Sequence, residues 1–213
     1  MKNWLDKMER RFGRYAIRNL TMYLLAGYAI GYLLSFTMPQ LLTYFTLEPA
    51  LILKGQVWRL LSWVIIPPND NIIFVIFMML LYYSLGNTLE SYWGAFRYNV
   101  YIFSGILFTV IGAFIVNGLI GGITGFGSLY STYYINMSIF LACASIMPDY
   151  QLLLYGIIPI KMKWLAILDV VLLAVDAVQG GLIIRIVIIA SLLNFIIFFF
   201  CNRNLRGHSP KQA

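Results

Sequence analysis

The sequence predicts an all-α integral membrane protein, a bundle of six transmembrane helices, on three observations. First, of 213 residues, 61% are hydrophobic and 11% are charged, whereas a water-soluble domain of this size carries roughly twice that share of charge. Second, six apolar stretches are separated by polar or glycine-rich segments. Third, most Lys and Arg residues fall in alternate connections between these stretches.

The six predicted spans are 20–36, 72–85, 100–116, 130–147, 162–178 and 182–200. An apolar stretch of about 20 residues crosses the hydrocarbon core as a helix. Lipid offers no hydrogen-bond partners, and a single helix satisfies all of its backbone groups internally. The second span is the shortest, and burial in a bundle or local thinning of the bilayer would accommodate it. The chain then divides into a basic segment, 1–19, a six-span domain, 20–200, and a short tail, 201–213.

Six spans place both termini on one side of the membrane. Twelve of the 15 Lys and Arg residues then lie on the side of the termini, which makes that side cytoplasmic. No cleavage site follows the first span, so we expect it to be retained as an anchor. We expect the membrane to be a bacterial cell membrane.

The basic segment has an apolar helical face formed by Leu5, Met8, Phe12 and Tyr15. This pattern predicts an interfacial helix lying on anionic headgroups; a disordered basic tail is the alternative.

Two outer segments are more than simple connections. Segment 37–71 is long and rich in aromatic residues, and it would be insoluble if fully hydrated, so we expect short amphipathic helices embedded in the outer leaflet. Segment 117–128 contains five glycines and predicts a pliable loop.

Composition excludes several classes of site. The net charge of +7 is not clustered as a nucleic-acid surface requires. Cys143 and Cys201 both lie in apolar runs, which excludes a disulfide framework and a cysteine zinc site. We expect no metal and no cofactor, and the expected partners are the lipid bilayer and transmembrane helices of other membrane proteins. The sequence leaves the oligomeric state open.

Two motifs carry a family resemblance. The first reads Gly55-Gln56-Val57-Trp58-Arg59-Leu60-Leu61, and the second runs from Gly86 to Tyr98 with Glu90, Gly94 and Arg97. Together they resemble the rhomboid superfamily of intramembrane proteases and their inactive relatives, such as derlins. The resemblance covers about residues 20–200 and implies a rhomboid-like six-helix bundle.

These motif residues also have a direct physical interpretation. Trp58 is typical of a membrane interface, and Arg59 is a cation able to cap a helix C-terminus or bind carbonyls. Glu90 and Arg97 are seven residues apart, so they lie on one face of a continuous helix or pair around Gly94. We expect all three charges to hold span ends together.

The resemblance implies a catalytic serine at the start of the fourth span, a histidine base in the sixth, and oxyanion donors in the second. Here the expected serine and histidine positions carry Tyr133 and Arg185, and the oxyanion positions fall near Phe74 and Met78. The single histidine, His208, is in the tail. Acyl-transfer chemistry needs a base and oxyanion donors, so we expect an inactive, pseudoprotease-type protein.

Three ionisable residues, Asp169, Asp176 and Arg185, lie within predicted spans, where charge is costly and needs a partner or a task. The short turn between the last two spans predicts an ion pair of Asp176 with Arg185; an arginine snorkelling to the interface is the alternative. For Asp169, a protonated carboxyl hydrogen-bonded within the bundle is one interpretation.

The sequence therefore predicts a multi-pass, catalytically inactive rhomboid-like protein that binds transmembrane segments of client proteins in quality control, trafficking or turnover. Two alternatives are open: an intramembrane serine protease with an unorthodox site, and a small transporter that uses Asp169 and Asp176 as a relay.

Overall fold

A computed structural model describes residues 4–66, 72–130, 132–154 and 158–201. These residues form ten α-helices: α1 (Trp4–Phe12), α2 (Leu20–Thr37), α3 (Pro39–Phe45), α4 (Pro49–Ile52), α5 (Arg59–Ser62), α6 (Ile72–Trp93), α7 (Ala95–Leu119), α8 (Tyr133–Ile146), α9 (Met162–Gln179) and α10 (Leu182–Cys201). Residues 67–71, Ser131, residues 155–157 and the tail from 202 with His208 lie outside the described part.

The helical character predicted from the sequence is confirmed, and each predicted span coincides with one of the six long helices. α2 and α7 are long and apolar enough to cross a membrane on their own, and α8 and residues 182–198 are shorter apolar helices. The second predicted span is too short, because α6 continues to Trp93. It ends where Gly94 has a φ of +86°, a conformation that residues with a Cβ rarely adopt.

α8 lies at the centre of the bundle. All ten residues from Ile135 to Ala144 are buried, so every face of this helix is covered. α6, α9 and α10 each pack against it. Because its neighbours enclose it, the length of α8 does not have to match the thickness of the hydrocarbon core.

The α7–α10 pair contributes the most extensive helix packing. A Cβ on Gly112 would lie 2.7 Å from the Cβ of Ala190, so the glycine permits close approach of the two helices. At one end of this pair, Trp93, Tyr101 and Phe198 form a buried aromatic cluster with ring centroids 4.8 to 5.4 Å apart.

The bundle has two different ends. The loop end carries α3 to α5 and the glycine-rich residues 120–126; the α1 end carries α1, Gly94 and an antiparallel hairpin. The short helices of segment 37–66 match the predicted outer segment. The hairpin, with strands β1 (Gln151–Leu154) and β2 (Ile158–Lys161), was not predicted. Pro148 precedes it and Pro159 lies within β2, and because proline is poorly tolerated inside a helix, this stretch does not extend α8.

Candidate functional site

The positions that the family resemblance assigns to a catalytic pair carry Tyr133 and Arg185, and the two do not form a dyad. The ring of Tyr133 packs edge-on against Tyr134, with centroids 5.3 Å apart. Arg185 instead faces the end of α9: Nε donates to the carbonyl of Ala177 at 2.7 Å and Nη2 to that of Val178 at 3.3 Å. These carbonyls belong to the last turn of α9, where intrahelical donors run out. Arg185 therefore caps α9.

The predicted ion pair between Asp176 and Arg185 is wrong. Asp176 is exposed, and the ion pairs of the described residues do not include it. A guanidinium beside a helix C-terminus satisfies two orphan carbonyls and also interacts favourably with the helix dipole. Arg185 therefore binds backbone carbonyls of α9 and not the carboxylate of Asp176.

Asp169 and Asp176 lie on one face of α9, the most weakly covered of the long helices. Only Met162 and Leu173 are buried in α9, and most of its other side chains are exposed. Asp169 is partly buried and lies within electrostatic range of Tyr82 of α6 and of Tyr133. The edge of α9 next to α8 therefore combines an acidic group, phenol hydroxyls and exposed apolar surface.

A buried polar cluster that the sequence did not indicate lies where α8 begins. Tyr28 of α2 contacts Asn136 of α8: the amide Nδ2 donates to the phenol oxygen at 3.2 Å. Thr132 contacts the Tyr28 hydroxyl and donates to the carbonyl of Ile66 at 3.4 Å. These contacts tie α2, α8 and the outer segment together. The signal for them was weak, since single Tyr, Thr and Asn residues in apolar spans carry no spacing pattern.

Arg59 organises the outer segment at the loop end. Its side chain is buried, and it donates through Nη1 to the carbonyls of Thr43 and Thr46 at 2.8 and 2.9 Å, and through Nε to Gln56 Oε1 at 2.7 Å. Thr43 lies in the last turn of α3 and Thr46 directly follows that helix, so Arg59 binds carbonyls at a helix C-terminus, as its sequence context predicted.

The other residues of the first motif support this clamp. Trp58 Nε1 donates to the carbonyl of Tyr44 at 3.2 Å, which is again at the end of α3. Gly55 has a φ of +102°, which a side chain would strain. The motif therefore fixes the path of the outer segment.

Arg97 joins α1 to α7 at the α1 end. Its Nη2 lies 2.8 Å from Asp6 Oδ1, and its Nε lies 2.9 Å from Glu9 Oε2. This interaction replaces both predicted arrangements of Glu90 and Arg97: the helix is broken at Gly94, and the arginine pairs with α1 instead.

Glu90 also connects separate segments. Its Oε1 accepts a hydrogen bond of 2.8 Å from the backbone N–H of Asn19, a residue with a φ of +55° immediately before α2. The carboxylate therefore holds the start of α2 against the end of α6. As expected from the sequence, the charges of the second motif hold helix ends together.

Glu48 is a buried acid that sequence reasoning missed. Its Oε1 accepts hydrogen bonds from the backbone N–H groups of Gly125 and Gly127, at 3.0 and 2.8 Å. A Cβ on Gly127 would lie 2.8 Å from the same oxygen, so the glycine makes room for the carboxylate. The signal available was an acid flanked by apolar residues, since a buried carboxylate requires donors from elsewhere in the chain.

Within the part of the chain that the structure describes, no three His, Cys, Asp or Glu side chains come together in a way that would hold a metal ion. The polar groups form helix caps, loop clamps and interhelical hydrogen bonds. Among these contacts of the described residues, none joins a serine, threonine or cysteine to a histidine, carboxylate or lysine.

Comparison with known proteins identifies one family. The family described as "Eukaryotic integral membrane protein (DUF1751)" matches residues 18–208, nearly the whole chain. No curated protein and no solved structure matches the chain. Because the family is eukaryotic, the expectation of a bacterial cell membrane is wrong. The composition of the spans gave no basis for that choice, since the same hydrophobic and charge rules apply to both kinds of membrane.

Proposed function

The chain belongs to this family of eukaryotic integral membrane proteins, and from this premise we propose that it is a catalytically inactive, rhomboid-like protein with six membrane spans. In this proposal it binds transmembrane segments of client membrane proteins and acts in their quality control, trafficking or turnover.

The lengths of the long helices support six spans. α6, α9 and α10 contain 22, 18 and 20 residues, which corresponds to roughly 27 to 33 Å at 1.5 Å per residue. This matches a hydrocarbon core about 30 Å thick. α8 has only 14 residues, but it is covered by its neighbours and needs no match to lipid. These lengths support the proposal that all six long helices lie in the membrane.

The local chemistry at the start of α8 supports inactivity. Among the described residues, Thr132 carries the aliphatic hydroxyl nearest in sequence to the expected nucleophile position, and it is engaged by Tyr28 and by the carbonyl of Ile66. Neither partner can take up a proton at neutral pH as a general base must. Arg185, at the expected base position, stays protonated and is bound to carbonyls.

The observation that carries the client-binding proposal is the composition of the α9 surface. Exposed Leu168, Leu172 and Val175 surround two acids, Asp169 and Asp176. A carboxyl group on a membrane helix costs about 2.5 to 3.5 kcal/mol on insertion scales, so a donor from a second helix would lower its free energy. An apolar client helix with one Lys, Arg, Asn or Ser side chain has this complementarity.

Site-directed photo-crosslinking tests the proposal. A photoreactive residue at Leu172 of α9 should capture helical membrane proteins in native membranes, and the same residue at Ile111 of α7 should capture far fewer. Both positions are exposed, at 46% and 44%, so exposure alone does not distinguish them. Equal capture at the two positions would show that α9 is not a docking surface.

The acids provide the second arm of the experiment. Asp169→Asn with Asp176→Asn should reduce client capture at Leu172, because the client donor loses a charged acceptor. Asp149→Asn is the matched control, since Asp149 is an exposed acid in the hairpin region. If the double variant captures as much as the control variant, the acids do not select clients.

Inactivity is tested separately with the wild-type protein. Neither labelling by a fluorophosphonate probe nor cleavage of generic rhomboid substrates should occur. Cleavage that is lost in a Thr132→Val or Ser138→Ala variant would overturn the inactive assignment.

A further inference from the structure

A groove at the α1 end separates the basic N-terminal segment from α7. It has a volume of 370 Å³. Phe12, Tyr15 and Ala16 line one wall, and Phe96, Phe103 and Leu107 of α7 line the other. Phe103 and Leu107 are 47% and 57% exposed, so the groove opens onto the surface that faces lipid. Its walls suit a hydrocarbon chain.

Two arginines lie at the edge of this groove. The guanidinium of Arg11 is 5.4 Å from the ring centroid of Phe12, and that of Arg14 is 4.7 Å from the ring centroid of Tyr15. Both aromatic rings line the groove. Arg14 Nη2 also donates to the Tyr15 hydroxyl at 2.6 Å. Stacking on an aromatic face positions each guanidinium, and its remaining N–H groups can bind a phosphate.

In the described part of the chain, the acids of this segment form their ion pairs with Arg97 and not with Arg11 or Arg14. Asp6 and Glu9 both contact Arg97 of α7, at 2.8 and 2.9 Å. The same contact anchors α1 against α7 and so holds the groove in place. An anchored helix with arginines at the groove edge is complementary to an anionic ligand.

A polar group inside the groove indicates the kind of headgroup. Asn99 lines the groove, is only 5% exposed, and its Oδ1 is buried without a donor from any described residue. A buried acceptor of this kind is costly when unpaired. A headgroup that carries hydroxyl or ammonium donors beside its phosphate would satisfy it.

We propose that the groove between residues 12–16 and α7 binds one anionic phospholipid from the leaflet that faces α1. An acyl chain occupies the apolar groove, Arg11 and Arg14 bind the phosphate, and a headgroup donor reaches Asn99. Phosphatidylinositol and phosphatidylserine, the anionic lipids of the cytoplasmic leaflet, have this chemistry. The site is independent of client binding at α9.

Native mass spectrometry tests the site on the full-length protein, extracted in mild detergent from vesicles of phosphatidylcholine with a minor fraction of phosphatidylinositol. The wild-type protein should retain one phosphatidylinositol per chain in preference to phosphatidylcholine. Arg11→Gln with Arg14→Gln should lower this preference by about thirtyfold, given roughly 1 kcal/mol for each of the two basic residues near an anionic surface.

Two further variants make the result specific. Ala16→Phe fills the groove from a position outside the helices and should abolish retention while the protein stays monodisperse. Lys54→Gln removes an exposed cation at the loop end and should leave retention unchanged. If Ala16→Phe and the double arginine variant both retain phosphatidylinositol as the wild type does, the groove is not a lipid site. If Lys54→Gln lowers retention as much as the arginine variant, the preference reflects net charge and the proposal fails.

Discussion

Replacing Arg59 should destabilise the whole protein by opening the outer segment. Arg59→Met keeps most of the apolar stem but removes every side-chain N–H donor. The carbonyls of Thr43 and Thr46 and the side-chain oxygen of Gln56, which now accept at 2.7 to 2.9 Å, lose their partner. The variant therefore separates the hydrogen bonds of Arg59 from its packing.

The size of the effect follows from these three acceptors. An acceptor left unsatisfied in a buried position costs about 1 to 3 kcal/mol. Water reaches part of this segment, because it lies at the end of the bundle, so we expect a loss of about 3 kcal/mol in total rather than the full sum. For a chain of this length, this lowers the melting temperature by roughly 6 to 12 °C.

Thermal unfolding in mild detergent measures the loss. Arg59→Lys should be intermediate, because one ammonium replaces a planar fork and reaches fewer of the acceptors. Lys54→Met removes an exposed cation of the same segment, and its expected change is below about 0.5 kcal/mol. The reasoning is refuted if Arg59→Met melts within about 2 °C of the Lys54→Met control.

Three other changes should have local and distinguishable effects. Glu48→Ala should cost about 2 kcal/mol and increase hydrogen exchange at the amide of Gly127; unchanged exchange there would contradict the carboxylate contact. Arg97→Gln should release α1, costing about 1 to 2 kcal/mol because its ion pairs are partly exposed, and should increase proteolysis before α2; equal cleavage rates would count against this anchor. Hydrogen bonds from Lys163 lower the pKa of Asp149, so this contribution to stability is complete above the ordinary Asp pKa and is lost as the pH falls through the lowered value. Lys163→Gln should return the pKa of Asp149, followed by NMR, toward its ordinary range, and an unmoved titration would exclude the pairing.

Hydropathy predicted the long helices well because few backbone structures are stable in lipid. A stretch that must satisfy its own backbone becomes a helix, so positions such as 100–116 and 182–200 coincide with α7 and α10. The end of α6 was harder to predict, because the charge of Glu90 indicates a connection outside the apolar span. In the structure this acid satisfies the N–H of Asn19, and the helix continues until Gly94 breaks it.

The side-chain partners depended on information that a single sequence does not contain. Glu48 finds its donors 77 and 79 residues away, at Gly125 and Gly127, and no local pattern encodes that distance. Arg185 was correctly placed near the turn after α9, but proximity does not decide between a carboxylate and two carbonyls. Unpaired carbonyls at a helix end compete well with a carboxylate for a guanidinium. The three-dimensional positions of these groups decide which partner is bound.

The polar contacts that stabilise the fold lie away from the surface proposed to bind clients. Arg59, Glu48, Glu90 and Arg97 tie segments together at the two ends of the bundle, whereas α9 is held mainly by apolar contacts along one edge. Substitutions at the ends should therefore change unfolding while leaving the α9 surface intact. Substitutions of the acids on α9 should change client capture with little loss of stability. In the isolated protein, the free-energy cost of placing each acid in the membrane exceeds the stabilisation from its contacts. If the Asp169→Asn, Asp176→Asn double variant melted well below the wild type, these acids would be structural, and the proposed client site would have to lie elsewhere.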